Sequence, residues 1–159
     1  MIKRIEKSLA EGEISAPSSK SAAHRMLIAA AMCKDQKSII RGITPCEDVL
    51  ATIDCLKALG VKIEYDGDVA TIWGIDFTKA IPKEVLDCRE SGSTLRFLIP
   101  IAMLSGNEVK FSGSKRLWKD PRMFMKVSQR NGDYTLQMTE SISLSRGPLR
   151  QENTSLTEV

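Results

Sequence analysis

The chain has 159 residues, of which 42% are hydrophobic and 27% are charged, and its formal net charge at pH 7 is +3. This length suffices for one domain, or for one domain and part of a second, and the composition is typical of a folded core. The charge is too small to indicate nucleic acid, and every apolar run is far shorter than the roughly 20 residues of a membrane span. The N-terminus lacks the apolar segment of a signal peptide, so we expect a cytoplasmic protein that binds neither nucleic acid nor membrane.

The first 73 residues predict alternating strands and helices. Pro17 and the serines after it suit a helix start, and apolar residues recur at helical spacing from Val49 to Leu59. The predicted elements are a strand at 2–8, an extended loop at 9–19, a helix at 20–33, a strand at 38–43, a helix with Thr44 as N-cap and Pro45 as first residue that stops at Gly60, and a hairpin that pairs 61–65 with 69–73.

The rest of the chain begins to repeat this order. The predicted elements are an irregular connection at 76–87, a helix from Ser91 to about Leu104, a strand at 107–111, a loop at 112–120 and a short helix after Pro121. Because a Ser-rich turn, an apolar helix and a strand recur, the pattern predicts an α/β (α+β) architecture built from repeats. Residues 127–159 are polar without a clear period, so we expect two short strands within 133–144 and partial disorder elsewhere.

The four cysteines, Cys33, Cys46, Cys55 and Cys88, show no C-x-x-C spacing, and His24 is the only histidine. This pattern excludes a Cys/His zinc site, and we expect neither a metal nor a cofactor. All four cysteines fall in apolar or helical segments, so we interpret them as reduced thiols in or near the core. We interpret His24 as a partly exposed helix residue rather than a general base.

Three segments combine hydroxyl groups and small residues with a fixed cation, and they are residues 17–25, 89–96 and 112–121. In the first, Lys20 lies in the first turn of a helix and Arg25 lies on an adjoining face, where free backbone amides also favour anions. In the second, Gly92 allows a ligand to approach the backbone, and Arg96 follows one turn later. In the third, Arg116 offers a guanidinium on a loop. Taken singly, each segment is better explained as a capped helix or a basic surface loop than as a binding site.

Taken together, the three segments resemble the signatures of EPSP synthase in sequence, order and spacing. The first resembles P-G-S-K-S-x-x-x-R, with Ser18 in place of the usual glycine and His24 where asparagine is frequent. The second is similar to the family's glycine, hydroxyl and arginine run, here Glu90 to Arg96. The third resembles the family's G-x-x-R loop, which ends at a proline. The likeness covers about residues 1–125.

The resemblance implies a transferase of the shikimate pathway of aromatic amino acid biosynthesis. It moves the enolpyruvyl group of phosphoenolpyruvate to the 5-hydroxyl of shikimate 3-phosphate. The binding residues that it implies are Lys20 for both substrates, Ser21 and Arg25 for shikimate 3-phosphate, Gly92 and Arg116 for phosphoenolpyruvate, and Arg96 as support for the second site.

The resemblance also implies two globules built from βαβαββ units of the enolpyruvyl transferase fold, of which this chain carries an incomplete set. Residues 1–16 correspond to a strand and loop of the missing globule, 17–125 to a substrate-binding domain, and 126–159 to a divergent tail. The family's acid–base aspartate, lysine and glutamate come later in its sequences. We therefore expect no catalytic residue in this chain beyond a supportive Lys20, and no turnover by the chain alone.

Three other interpretations stay open at this point. The chain can be a non-catalytic anion-binding half that needs a partner chain with the other globule. It can be a relative of the enolpyruvyl transferase that acts on UDP-N-acetylglucosamine, although that enzyme's first loop resembles Lys-Asn rather than Lys20-Ser21. It can also be a structural α/β fragment whose cationic loops bind nothing.

Overall fold

The computed structural model describes residue 9, residues 11–118, and the backbone of residues 134–138 and 142–146. The described elements form two successive units that have the same order of helices and strands from the first helix of each unit onward. The first unit contains α1 (Lys20–Met32), β1 (Lys37–Ile40), α2 (Glu47–Ala58), β2 (Lys62–Asp66) and β3 (Val69–Trp73). The second contains β4 (Leu86–Asp87), α3 (Gly92–Leu104), β5 (Val109–Ser112), α4 (Lys115–Trp118), β6 (Tyr134–Met138) and β7 (Ile142–Arg146).

The two sheets repeat one strand order. In the first unit the order is β1-β3-β2, with both pairings antiparallel. In the second unit the order is β4-β5-β7-β6, where β4 pairs in parallel with β5 and the other pairings are antiparallel. The second unit therefore runs βαβαββ, and the first matches it from its first helix onward. This confirms the predicted α/β (α+β) repeat.

Several local predictions are wrong in their bounds or type. The N-cap of α2 is Cys46 rather than Thr44, and no side-chain hydrogen bond caps that helix. The connection at 76–87 holds a 3-10 turn at Phe77–Lys79 and the two-residue strand β4. The predicted loop at 112–120 begins with the end of β5 and contains α4. The strand predicted at 2–8 and the helix predicted after Pro121 lie outside the described residues, as does most of the predicted tail.

Serine caps fix where α1 and α3 begin, because the first amides of a helix have no partner within it. Ser19 accepts a hydrogen bond from the amide of Ala22, and Ser91 accepts one from the amide of Thr94. The core packs the three long helices against both sheets. Its largest fully buried side chains include Leu27, Leu56, Ile72, Leu98 and Phe111.

The cysteines lie at different depths. Cys55 and Cys88 are buried free thiols, as predicted, and Cys46 is partly buried. Cys33 is exposed at the C-terminal end of α1, so the prediction of a core or near-core thiol is wrong there. The helix ends at this residue, and its backbone amide bonds back to Ala30. No helix in the described ranges is long and apolar enough to cross a membrane.

Candidate functional site: an anion pocket at three helix N-termini

The first turns of α1, α2 and α3 meet on one side of the molecule. Lys20, the first residue of α1, donates to Asp48 in the first turn of α2, with Nζ and Oδ2 2.5 Å apart. The backbone carbonyl of Asp48 in turn accepts from the hydroxyl of Thr94 in the first turn of α3, at 3.3 Å. Because each helix N-terminus carries a partial positive charge, this meeting point favours anions.

A pocket of about 300 Å³ opens at this point. Its walls combine the start of α3 with residues from α2, from α4 and from the turn before α3. The lining residues are Asp48, Glu90, Gly92, Ser93, Arg96, Arg116 and Leu117. The pocket therefore contains three of the residues that the sequence singled out, namely Gly92, Arg96 and Arg116.

The two arginines of the pocket are held differently. Arg96 donates through Nε to the carbonyl of Gly92, at 3.0 Å, so its guanidinium is fixed beside the first turn of α3. Arg116 lies on α4 with Nη1 3.6 Å from Oε2 of Glu90, and its side chain is 85% exposed. Arg96 is thus positioned by its own helix, whereas Arg116 is a rim cation with one weak ion pair.

Lys20 reaches the pocket through its ion pair with Asp48. The hydrogen bond to Asp48, together with the negative charge of that carboxylate, raises the pKa of Lys20 above its ordinary value. The ammonium is therefore charged at neutral pH. Its side chain remains about half exposed, so the cation is accessible from solvent.

Ser21 and Arg25 lie on the exposed surface of α1 beside Lys20. Arg25 donates through Nη1 to the carbonyl of Ser21, at 3.1 Å. Its guanidinium carbon also lies 5.6 Å from the centre of the Phe97 ring on α3. Neither Ser21 nor Arg25 lines the pocket, so the structure places them on an adjacent surface.

Ser18 and Thr44 join the loop before α1 to the loop before α2. The amide of Ser18 donates to Oγ1 of Thr44 at 3.2 Å, and the amide of Thr44 donates to Oγ of Ser18 at 2.9 Å. This reciprocal bonding explains why Thr44 does not cap α2. It also holds the residues that precede Lys20 at a fixed place.

The prediction that His24 is partly exposed is wrong. The side chain is fully buried, and its Nδ1 lies 2.7 Å from Oγ1 of Thr52 on α2. Burial lowers the pKa of His24 below its ordinary value, so the ring is neutral at pH 7. A helical pattern that places Leu27 and Ile28 on the same buried side could have indicated this.

Sequence reasoning did not find the two acids of the pocket, Asp48 and Glu90. An acidic residue in the first turn of a helix is already explained by the helix dipole, so Asp48 carries no separate signal. Glu90 is identified as a pocket residue only from the structure, in which α4 places Arg116 beside it. No cluster of metal-ligating side chains occurs within the part of the chain that the structure describes.

The fold is that of a repeat-built α/β protein, in which a pocket at helix N-termini is lined by two arginines and adjoins a lysine through Asp48. The family model of EPSP synthase (3-phosphoshikimate 1-carboxyvinyltransferase) matches residues 5–123. The chain therefore belongs to the EPSP synthase family.

Individual relatives agree with this family. A 3-phosphoshikimate 1-carboxyvinyltransferase from Clostridium perfringens is 42% identical over 117 residues, which cover 74% of this chain and 27% of the relative. One from Clostridium beijerinckii is 40% identical over 116 residues, which cover 69% and 26%. A solved EPSP synthase from Acinetobacter baumannii shares the fold with a TM-score of 0.68 at 22% identity, covering 84% of this chain and 32% of its own. The chain thus spans about a quarter of the length of the curated relatives that it matches.

Proposed function

We propose that this chain is a portion of an EPSP synthase that contributes an anion-binding face for shikimate 3-phosphate and phosphoenolpyruvate. We further propose that the chain alone does not catalyse the transfer between them. The observation that carries the proposal is the pocket lined by the first turns of α2 and α3 and by Arg96 and Arg116, next to the ion pair of Lys20 with Asp48. Both proposed ligands are multiply charged anions, and each requires several cations and amides at one place.

For shikimate 3-phosphate, the proposed binding groups are Lys20, Ser21 and Arg25 on α1. These residues fall within six consecutive positions of one helix, and Arg25 is oriented by two contacts, with Ser21 and with Phe97. A planar guanidinium held in this way suits a carboxylate, because it can donate two parallel hydrogen bonds.

For phosphoenolpyruvate, the proposed binding groups are Lys20, Gly92 and Arg116, with Arg96 as support. Lys20 is assigned to both ligands because it belongs to α1 and pairs with Asp48, which lines the pocket. The ammonium of Lys20 has three donors and the guanidinium of Arg116 has five, so each retains free donors for an anion beside its pairing with Asp48 or Glu90.

The proposed domain division is 1–16 for a segment that belongs with another globule, 17–125 for the substrate-binding part and 126–159 for a divergent tail. Residues 11–16 support the first boundary, because all six are exposed and none lies in a helix or strand, whereas Ser18 is hydrogen-bonded to Thr44. The proposed setting is the cytoplasm, since the four cysteines are free thiols and such thiols suit a reducing compartment.

Reconstitution tests this proposal. The remainder of the Clostridium perfringens relative is produced as a separate chain and mixed with this one, and phosphate release is measured with both substrates. We expect phosphate release only in the mixture, and we expect Lys20→Ala to abolish it while Lys34→Ala does not. Turnover by this chain alone would refute its incompleteness. If the mixture releases no phosphate and millimolar shikimate 3-phosphate gives no heat in calorimetry, the chain is better described as a structural fragment.

A further inference from the structure

A buried row of hydrogen-bonding side chains connects α1 to α3 through α2. Nδ1 of His24 lies 2.7 Å from Oγ1 of Thr52, which lies 2.7 Å from Oγ1 of Thr94. The hydroxyl of Thr94 then donates to Oγ of Ser91, also at 2.7 Å. All four side chains are at most 1% exposed. One continuous polar path therefore crosses the otherwise apolar space between the three helices.

The path ends at the N-cap of α3. Ser91 accepts a hydrogen bond from the backbone amide of Thr94 and immediately precedes Gly92, which lines the pocket. The hydroxyls of Thr52 and Thr94 each lie 3.3 Å from the carbonyl of Asp48, so the first turn of α2 is tied to the same path. A displacement of any side chain in this path would therefore change the position of the Ser91 cap and of the amides at the start of α3.

His24 is the end of the path on α1, four residues after Lys20. Lys20 lies one helical turn before His24, so the contact of the His24 ring with Thr52 fixes how this end of α1 packs against α2, where Asp48 pairs with Lys20. Nε2 of His24 has no hydrogen-bond partner among the described residues. The polar contact with Thr52 is therefore the one that orients the ring, and no second bond compensates when it is removed.

We propose that His24 is a positioning residue that, through Thr52 and Thr94, sets the separation between Lys20 on α1 and the amides of Gly92 and Ser93 on α3. An anion that bridges two helices requires this separation to be fixed in advance. Buried hydrogen bonds fix it firmly, because breaking one leaves an unsatisfied polar group in the core. The inference rests on the proposed function only in taking those groups to bind an anion.

The test removes the hydroxyl of Thr52, which lies in the middle of the path, with little change in the shape of the side chain. Thr52→Val removes the hydroxyl and keeps the volume, Thr52→Ser keeps the hydroxyl, and Thr71→Val on β3 is a control away from the path. The probe is inorganic phosphate, followed through the amide NMR signals of Gly92 and Ser93 in the full chain. We expect Thr52→Val to raise the phosphate Kd about fivefold, as for a lost buried hydrogen bond. Thr52→Ser and Thr71→Val should stay within about twofold.

A double-mutant cycle separates positioning from general loss of stability. His24 and Thr94 interact through Thr52, so we expect His24→Leu and Thr94→Val together to weaken phosphate binding no more than the stronger single change. Additive losses would overturn the inference. Should His24→Leu fail to fold, the two Thr52 variants carry the test by themselves.

The two proposals fail in different ways. If the unmodified chain binds phosphate and all variants bind it equally well, the positioning role is overturned and the proposed function stands. If the unmodified chain binds no phosphate, the proposed function fails, and the ligand-free amide shifts of residues 91–93 still decide the positioning role. We expect those shifts to move in Thr52→Val, and unchanged shifts would overturn the inference.

Discussion

The guanidinium of Arg25 on α1 lies over the ring of Phe97 on α3, 5.6 Å from its centre. Phe97 directly follows Arg96, whose Nε is bonded to the carbonyl of Gly92. This contact places a cation of the α1 surface beside the helix that forms the pocket wall. The exposed surface of α1 and the pocket therefore adjoin.

Replacing Phe97 by leucine tests whether this ring orients Arg25. A cation–π contact at an exposed site contributes about 0.5–1 kcal/mol, so we expect Phe97→Leu to weaken shikimate 3-phosphate binding about two- to fivefold in calorimetry. Arg25→Ala should weaken it further. If Arg25→Ala weakens binding and Phe97→Leu leaves it unchanged, the ring does not orient the guanidinium.

Lys20 has a closely matched control in Lys34. Each lysine forms one ion pair, with Asp48 and with Asp76 respectively, and the two pairs are exposed almost equally, at 52%/27% and 53%/26%. Removing a charged hydrogen-bonding partner costs about 1.5–3 kcal/mol, so Lys20→Ala should weaken shikimate 3-phosphate binding about tenfold or more. Lys34→Ala should change it less than about twofold. Equal losses in calorimetry would show only a non-specific effect of net charge.

The burial of His24 predicts a pH dependence of stability. Burial lowers the pKa of His24 below its ordinary value of 6.5, and Lys20 and Arg25 also lower it, while Asp48 opposes them. Below that ordinary value the unfolded chain binds a proton that the folded chain does not, so the free energy of unfolding decreases as the pH falls.

The measurement is the urea midpoint at pH 7.5 and at pH 5.5, for the unmodified chain and for His24→Asn, in which this position does not titrate. Carboxylates and other groups contribute equally to both proteins. We expect a larger loss at pH 5.5 in the unmodified chain. The same loss in both would mean that His24 is protonated as easily in the folded state as in the unfolded one.

Gly74 fixes the far end of α1 against β3. A Cβ at this position would lie 2.0 Å from the carbonyl oxygen of Cys33, a backbone atom that cannot move aside easily. We expect Gly74→Ala to lower the free energy of unfolding by about 3 kcal/mol. The control is Gly67→Ala, at a φ of +59° with open space around it, which should cost about 1 kcal/mol. Equal losses in urea titrations would contradict the close approach.

Local signals predicted much of the fold. Ser19 and Ser91 predicted the starts of two helices, and Asp66-Gly67-Asp68 predicted the hairpin of β2 and β3. These predictions succeed because caps and turns depend on a few neighbouring residues. Thr44 misled the prediction, because its hydroxyl and amide bond to Ser18, 26 positions earlier. Sequence order does not reveal that such a distant partner is present.

The sequence predicted the cations of the candidate site but not the buried polar side chains behind it. Gly92, Arg96 and Arg116 were singled out by residue type, and the structure brings them to one pocket. The buried pairing of His24 with Thr52 was not foreseen, because a helix pattern shows which face is buried but not which polar groups meet there. That information resides in the packing of α1 against α2.

A titration of the full chain with shikimate 3-phosphate, observed through its backbone amide NMR signals, tests most directly whether the separate cationic segments form one binding face. Lys20 is proposed for both ligands and pairs with Asp48 of the pocket that Gly92 lines, so we predict that shikimate 3-phosphate bound at Lys20 and Ser21 also shifts the Gly92 signal with the same Kd. The signals of Asp66 and Gly67 in the hairpin should stay fixed. Shifts confined to a single segment, or different dissociation constants for the α1 and α3 signals, would contradict a shared site.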